Sequence, residues 1–410
     1  MSGQIVIVGA GHAGGSVAAF LRQYGWKGPI TLLGAEPVPP YQRPPLSKAW
    51  LKHKSDAASL ALRPAAFYPT NAITLRLATH ATAIVPANRY VTLESGEQLS
   101  YDHLILATGA RPRLLPVQGN DLGGVLALRS VADADALQAA LTPGSQLVVI
   151  GGGYIGLEVA ASARTLGVAV TVVERESRVL ARVASEPLSS FFTGAHTTHG
   201  VRILCGASIA TIEGAAGRVA GVRLADGTHL PCDTVLIGVG AAPDDALARA
   251  AGLACDDGIV VDLATRTSDP HIHAVGDCTR RPLPLYARIG RLESVPNALE
   301  QAKQAAADLC GRPPPPPEIP WFWSDQYDIR LQIAGLPFDV DDIVLRGDPA
   351  TGKFAAFHLA ADGAIQAVEA VNAPAEFMGG RLMIARRQRT TSAVLHLSNP
   401  LPLAREGGAR

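Results

Sequence analysis

Apolar and polar positions follow one pattern twice along the chain. In "QIVIVGAGHAGGSVAAFLRQYG" an apolar, β-branched run is followed by Gly9-x-Gly11-x-x-Gly14, then by a segment with small residues along one face. That order predicts a buried strand, a tight turn and a helix. A second strand, "PITLLGAE", ends at Glu36. The whole arrangement returns in "SQLVVIGGGYIGLEVAASARTLGVAVTVVERE": strand, Gly151-x-Gly153-x-x-Gly156, helix, strand, Glu174. Two further segments match each other, "YDHLILATGARPR" (Tyr101–Arg113) and "CDTVLIGVGAAPD" (Cys232–Asp244). Each has a polar start, an apolar strand, a glycine and then a proline, which suits the closing strand of a nucleotide-binding unit where the chain crosses between domains. "HIHAVGDCT" supplies one more strand, ending in Gly276-Asp277.

Each repeat has the parts of a dinucleotide-binding βαβ unit. Its glycines permit a tight turn, close approach of backbone to a pyrophosphate, and close helix–strand packing. The helix N-terminus offers N–H groups and partial positive charge to the phosphates. The acid after the second strand can accept hydrogen bonds from ribose hydroxyls. Glu36 takes this part in the first unit, although Ala35 occupies a neighbouring position that an acid could fill. Glu174 takes it in the second. Asp277, at a strand's C-terminal end, can bond a ribityl or pyrophosphate group. Two complete units mean two dinucleotides in two domains.

Composition narrows the class. The chain has 410 residues, enough for two or three domains, and is 48% hydrophobic and 18% charged, as soluble globular proteins are. Thirty-six basic residues balance 36 acidic ones, so no net charge draws it to nucleic acid or to an anionic membrane. No apolar run reaches about 18 residues, and no basic segment precedes an apolar one at the N-terminus, so neither a membrane span nor a signal segment is expected and the expected location is the cytoplasm. The five cysteines, Cys205, Cys232, Cys255, Cys278 and Cys310, form no CxxC pair, which leaves a zinc ribbon or a protein-bound iron–sulfur cluster without ligands. "HIH" (His271–His273) lacks a third ligand, so no metal site is expected, and His12 inside the first glycine turn reads as incidental. Only 5% of the chain is aromatic, yet two of its four tryptophans fall in "IPWFWSDQY" (Ile319–Tyr327), just past "GRPPPPPE". The prolines Pro313–Pro317 read as a stiff connector.

In order, GAGHAG, RPPLSK (Arg43–Lys48), ATGARP, GGGYIGLE, GD, VPNALEQA (Val295–Ala302) and WFWSDQY resemble the FAD-dependent, NADH-linked ferredoxin reductases that serve bacterial cytochrome P450 and Rieske oxygenase systems. The resemblance runs from about residue 4 to about residue 385. It implies the α/β, glutathione-reductase-like fold: two Rossmann-type domains plus a C-terminal α+β domain. The FAD-binding domain would span 1–113 and 245–318, the NAD-binding domain 114–244 and the C-terminal domain 319–410.

By matching motif, Gly9, Gly11, Ala13 and Gly14 would hold the FAD pyrophosphate and Glu36 the adenosine ribose. Arg43 and Lys48 would line the flavin side, and the Ala81 backbone would meet the adenine. Thr108, Gly109 and Arg129 would complete the FAD wall, with Asp277, Val295 and Pro296 near the ribityl chain and ring. Gly151, Gly153, Tyr154, Ile155, Gly156, Glu158 and Glu174 would serve NAD. A Glu174 carboxylate on the 2′ and 3′ hydroxyls would repel a 2′-phosphate and favour NADH over NADPH, with Arg175 and Arg178 nearby to oppose it.

The activity implied is hydride transfer from NADH to FAD, then single electrons to a [2Fe–2S] ferredoxin feeding a cytochrome P450 or related oxygenase. Lys48, paired with Glu158, is expected near flavin N5. Disulfide reductases of this fold need a cysteine pair where this chain reads "PPYQRPPLSK", so thiol chemistry is excluded. WFWSDQY would close over the flavin, with Trp323 facing the partner and Trp321 packing. Lys303, Arg381, Arg386, Arg387 and Arg389 are candidates for a basic dock against an acidic ferredoxin. The competing readings are another acceptor (rubredoxin, dioxygen) and a redox-signalling flavoprotein.

Overall fold

A computed structural model describes residues 2–397 and 401. The chain forms two compact units: Met1–Arg43, Asp56–Arg111 and Ala241–Glu318 in the first, Pro44–Ser55, Pro112–Gly240 and Ile319–Arg410 in the second. The change at Glu318 follows the proline run directly. Pro44–Ser55, which holds Lys48, belongs to the second unit, as does Arg129.

The first unit is built on a five-stranded parallel sheet in the order Ile272–Ala274, His103–Leu106, Ile5–Val8, Ile30–Leu33, Ile73–Arg76. Ile5–Val8 is buried along its whole length, which is why its sequence is apolar without alternation. On one face the helices His12–Gln23 and Val295–Leu309 pack together through Val17, Leu21, Ala302, Ala305 and Leu309. The other face is covered through Ile84, Val91 and Leu93 of the antiparallel strands Ala81–Val85 and Tyr90–Leu93.

The second unit repeats the parallel sheet in the order Arg202–Leu204, Ala169–Val173, Gln146–Ile150, Thr234–Ile237, Val125–Leu126. It also holds a five-stranded antiparallel sheet ordered Trp321–Gln326, Ile329–Gly335, Ile365–Val371, Lys353–Leu359, Asp342–Asp348, with the helix Pro374–Ala385 packed beside it. One apolar cluster runs from the parallel part (Val149, Leu157, Phe192) into the antiparallel part (Leu331, Phe354, Val371) and takes in Leu51. A buried polar contact fastens the same seam. Glu369, 2% exposed, accepts from the Ser185 N–H at 3.0 Å and its hydroxyl at 2.5 Å, at the start of the helix Glu186–Thr198.

Candidate functional site: two dinucleotide cradles and a buried lysine–glutamate pair

The glycine turns share one geometry. Gly9 sits at φ +111°, and a Cβ on it would lie 2.2 Å from the Ala107 carbonyl oxygen; one on Gly14 would lie 1.9 Å from the Gly9 carbonyl oxygen. In the second unit Gly151 sits at φ +108°, with Cβ distances of 2.5 Å from Gly151 to Gly238 O and 2.3 Å from Gly156 to Gly151 O. No side chain fits at any of these positions. At Gly11 and Gly153 a Cβ would instead meet nothing within 4 Å. Each of these two is the residue ahead of a 12-residue helix and neither has a side-chain cap, so the first N–H groups point into open space. That arrangement fits a pyrophosphate in each unit.

The first cradle has a further polar lining. A Cβ on Gly276 would meet Ala13 Cβ at 3.0 Å, which sets Gly276-Asp277 against the start of the helix. The Gly276 N–H donates to Gln301 Oε1 at 2.8 Å, while Gln301 Nε2 and His12 Nδ1 are buried with no protein partner, as a site completed by a polar ligand requires. Burial pushes the His12 pKa down, Asp277 opposes this and Arg63 adds to it. Thr108 Oγ1 donates to Asp244 O at 2.5 Å beside Gly109 at φ +74°. Val295 and Pro296 open a helix whose Ser294 cap accepts from Asn297 N at 3.3 Å. Ala81 begins a strand paired with Leu93. These residues share the first unit; Arg129, in the second, donates its N–H to Asp133 Oδ2 at 3.0 Å.

Register separates the two acids. Val8 pairs with Leu33, and Ile150 with Val173. The counterpart of Glu174 is therefore Gly34, and Glu36 lies two residues farther along. Its carboxylate accepts from Tyr41 OH and Arg43 Nη2, each at 2.7 Å, and the Arg43 guanidinium lies 5.1 Å from the Tyr41 ring centre. Glu174 is fixed at its own glycine turn, accepting from Gly152 N at 2.7 Å and Glu176 N at 2.8 Å. Arg178 is turned inward, onto Ala181 O at 3.0 Å, Ala184 O at 2.9 Å and Ser189 Oγ. Arg175 is exposed and pairs with Glu176 at 3.0 Å. Thus neither Arg175 nor Arg178 is held ready for a 2′-phosphate beside Glu174. Replacing Glu174 by Ala should reduce preference for NADH over NADPH at least tenfold, as ~1.4 kcal/mol of lost hydrogen bonding would, read as the ratio of the two kcat/KM values.

Lys48 and Glu158 meet inside the second unit. Lys48 Nζ lies 2.6 Å from Glu158 Oε2, with the side chains 16% and 3% exposed. Ser47 Oγ donates to the same oxygen at 2.5 Å, and Ser324 Oγ to the other at 2.6 Å. Ser162 Oγ, one turn on from Glu158, holds the Ser47 carbonyl at 2.7 Å and so fixes the RPPLSK segment on the helix Tyr154–Thr165. Tyr154 is committed to packing: its hydroxyl donates to Val183 O at 3.1 Å, its ring lies 4.5 Å from that of Phe322, and burial raises its pKa well above the usual value, with Glu369 adding to the rise. Ile155 is 47% exposed.

The strand Trp321–Gln326 alternates. Phe322, Ser324 and Gln326 are on the face that meets Tyr154, Glu158 and His196. Trp321 and Trp323, on the other face, have ring centres 5.6 Å apart; Trp321 also packs on Phe377, and the Arg381 guanidinium lies 5.7 Å from its ring. Arg386 and Arg387 are exposed past the end of that arginine's helix, and Arg389 pairs with Asp362 at 2.8 Å. Lys303, in the first unit, pairs with Glu318 at 3.2 Å. The tryptophans dominate the stretch that holds Ser324 and Gln326, where the signal is the polar residues at every second position; His196 lies in the separate helix Glu186–Thr198 and carries no such local signal.

The cysteines are free thiols, none before Cys205. Burial pushes Cys232 up to about 12 and Cys278 to about 11. Among the described residues no group of His, Cys, Asp or Glu could hold a metal ion, and no helix is long and apolar enough to cross a membrane.

Paired nucleotide cradles with an antiparallel sheet in the second unit define a protein built to bind two dinucleotides. Residues 3–302 match the pyridine nucleotide-disulphide oxidoreductase family and residues 321–400 the reductase C-terminal family. The chain belongs to the pyridine nucleotide-disulphide oxidoreductase family. It is 53% identical over 385 residues to the probable ferredoxin reductase CtmF of Castellaniella defragrans, covering 94% of each chain. It is 46% identical to putidaredoxin reductase CamA of Pseudomonas putida, covering 93% of this chain and 92% of that one. It superposes on the crystal structure of the covalent putidaredoxin reductase–putidaredoxin complex with a TM-score of 0.95 at 44% identity, covering 98% of this chain and 97% of that chain.

Proposed function

We propose that this protein is an FAD-dependent NADH:ferredoxin reductase, supplying electrons singly to a [2Fe–2S] ferredoxin and through it to a cytochrome P450 or Rieske-type oxygenase in the cytoplasm. One observation carries the reading: two dinucleotide cradles occur in a chain with no cysteine ahead of Cys205, so electrons have to leave without a thiol relay. When bound, FAD supplies the conversion from a two-electron donor to a one-electron acceptor. The protein's part is to bind and orient. The N–H groups after Gly11 and Gly153 take the pyrophosphates, and Glu174 takes the ribose diol of NADH. Lys48, aimed by Glu158, places positive charge where reduction builds negative charge. Trp323, Arg381, Arg386 and Arg387 form the proposed dock for an acidic ferredoxin, with Lys303 as a further candidate.

The test is cytochrome c reduction by NADH with a panel of purified [2Fe–2S] ferredoxins. Fast turnover should depend on an added ferredoxin, and a long-lived reduced complex without turnover would favour a signalling flavoprotein. Raising salt from low to about 0.5 M should slow ferredoxin reduction about tenfold or more while leaving ferricyanide reduction nearly unchanged, because screening acts on charge-steered encounter. Equal losses in both assays would remove the basic dock.

A further inference from the structure

Behind Glu158 a line of hydrogen bonds runs through the second unit. Gln326 Nε2 donates to Ser324 Oγ at 3.1 Å, His196 Nε2 meets Gln326 Oε1 at 2.7 Å, and the Tyr327 hydroxyl meets His196 Nδ1 at 3.2 Å. The carboxylate fixes the direction, because it can only accept. Ser324 must then donate to Glu158, so its oxygen accepts from the Gln326 amide nitrogen. The amide oxygen is left to accept from His196 Nε2–H, which leaves Nδ1 as the acceptor for Tyr327 O–H. Every proton in the line points toward Glu158. His196 is fully buried, and burial, set against the Gln326 bond and reinforced by His199, lowers its pKa, so one ring nitrogen stays bare. Tyr327, pushed up to about 12 by burial, keeps its proton. It sits at φ +56°, a strained conformation for a bulky residue, with its ring stacked 3.7 Å from that of His199.

We propose that Ser324, Gln326, His196 and Tyr327 are positioning residues: a one-way hydrogen-bond chain that locks the Glu158 carboxylate and thereby aims the Lys48 ammonium. This rests on the reading of Lys48 given above. An amide does not pass protons along, so the chain orients the pair and does not conduct.

Two measurements test it. Nitrogen-15 labelling of histidine in the protein, with or without flavin, should show His196 protonated on Nε2 at neutral pH; an Nδ1–H tautomer or an imidazolium would overturn the chain. Gln326→Leu should slow bleaching of the flavin by NADH about tenfold, the effect of one lost buried hydrogen bond, at unchanged half-saturating NADH and full FAD content. In a Lys48→Met background it should cost nothing more. His196→Gln, which keeps a donor toward Gln326, should retain most of the rate that His196→Leu loses, and this pair serves if Gln326→Leu does not fold. Should Lys48→Met bleach at the wild-type rate, the reading of Lys48 fails and the inference with it. If Lys48→Met is slow while the Gln326 and His196 variants are fast, or if the losses multiply, the positioning role alone is overturned.

Discussion

Lys48→Met should yield a yellow protein that NADH bleaches about 100-fold more slowly, equal to ~2.7 kcal/mol of barrier. The reason is the setting of the ammonium. It is 16% exposed, 2.6 Å from a carboxylate that is 3% exposed, and both carboxylate oxygens carry hydroxyl donors as well. At an effective dielectric near 20, a charge about 4 Å from a developing one contributes about 4 kcal/mol, so about two-thirds of that term accounts for the loss. Methionine keeps the apolar stem and removes the charge. Stopped-flow absorbance of the flavin band gives the rate directly, and dithionite should still reduce the variant. An unchanged rate with NADH would take Lys48 out of the mechanism.

Gly156→Ala separates the two cradles. Its Cβ would stand 2.3 Å from the Gly151 carbonyl oxygen, and 3.1 Å from Val149 Cγ1, so the glycine turn has to open. Overpacking of this kind costs about 3 kcal/mol, or about 100-fold in NADH affinity, because the displaced backbone carries the phosphate-binding N–H groups. The first cradle is untouched. The variant should purify yellow, accept electrons from dithionite and stay oxidised at NADH concentrations that bleach the wild type. Loss of the yellow colour instead would mean that the second glycine turn does not serve NADH alone.

The cradles were legible because their chemistry is local. Glycines at fixed spacing beside an apolar run specify turn, helix start and strand together, and the strands, turns and helices fall where that spacing puts them. Glu36 shows the limit: its acidic character is visible, but the register that puts Gly34 opposite Glu174 needs the pairing of Val8 with Leu33. Arg178 looked like a phosphate ligand, yet its donors are taken up by carbonyls of the loop that follows it. The network behind Glu158 was hidden for a different reason. It joins residues from Ser47 to Tyr327, and no local pattern records that a serine will meet a glutamate 166 positions away. Buried polar contacts of high sequence separation become readable only once the sheets are assembled.

Oxygen-activating systems generate peroxide whenever electrons miss their target. A donor that relayed charge through a disulfide would be silenced by that by-product, since low-pKa thiolates oxidise first. Here the segment around Lys48 has no sulfur, and each thiol with a shifted pKa is held more firmly in its protonated form. Electron supply of this design would keep running in the presence of peroxide.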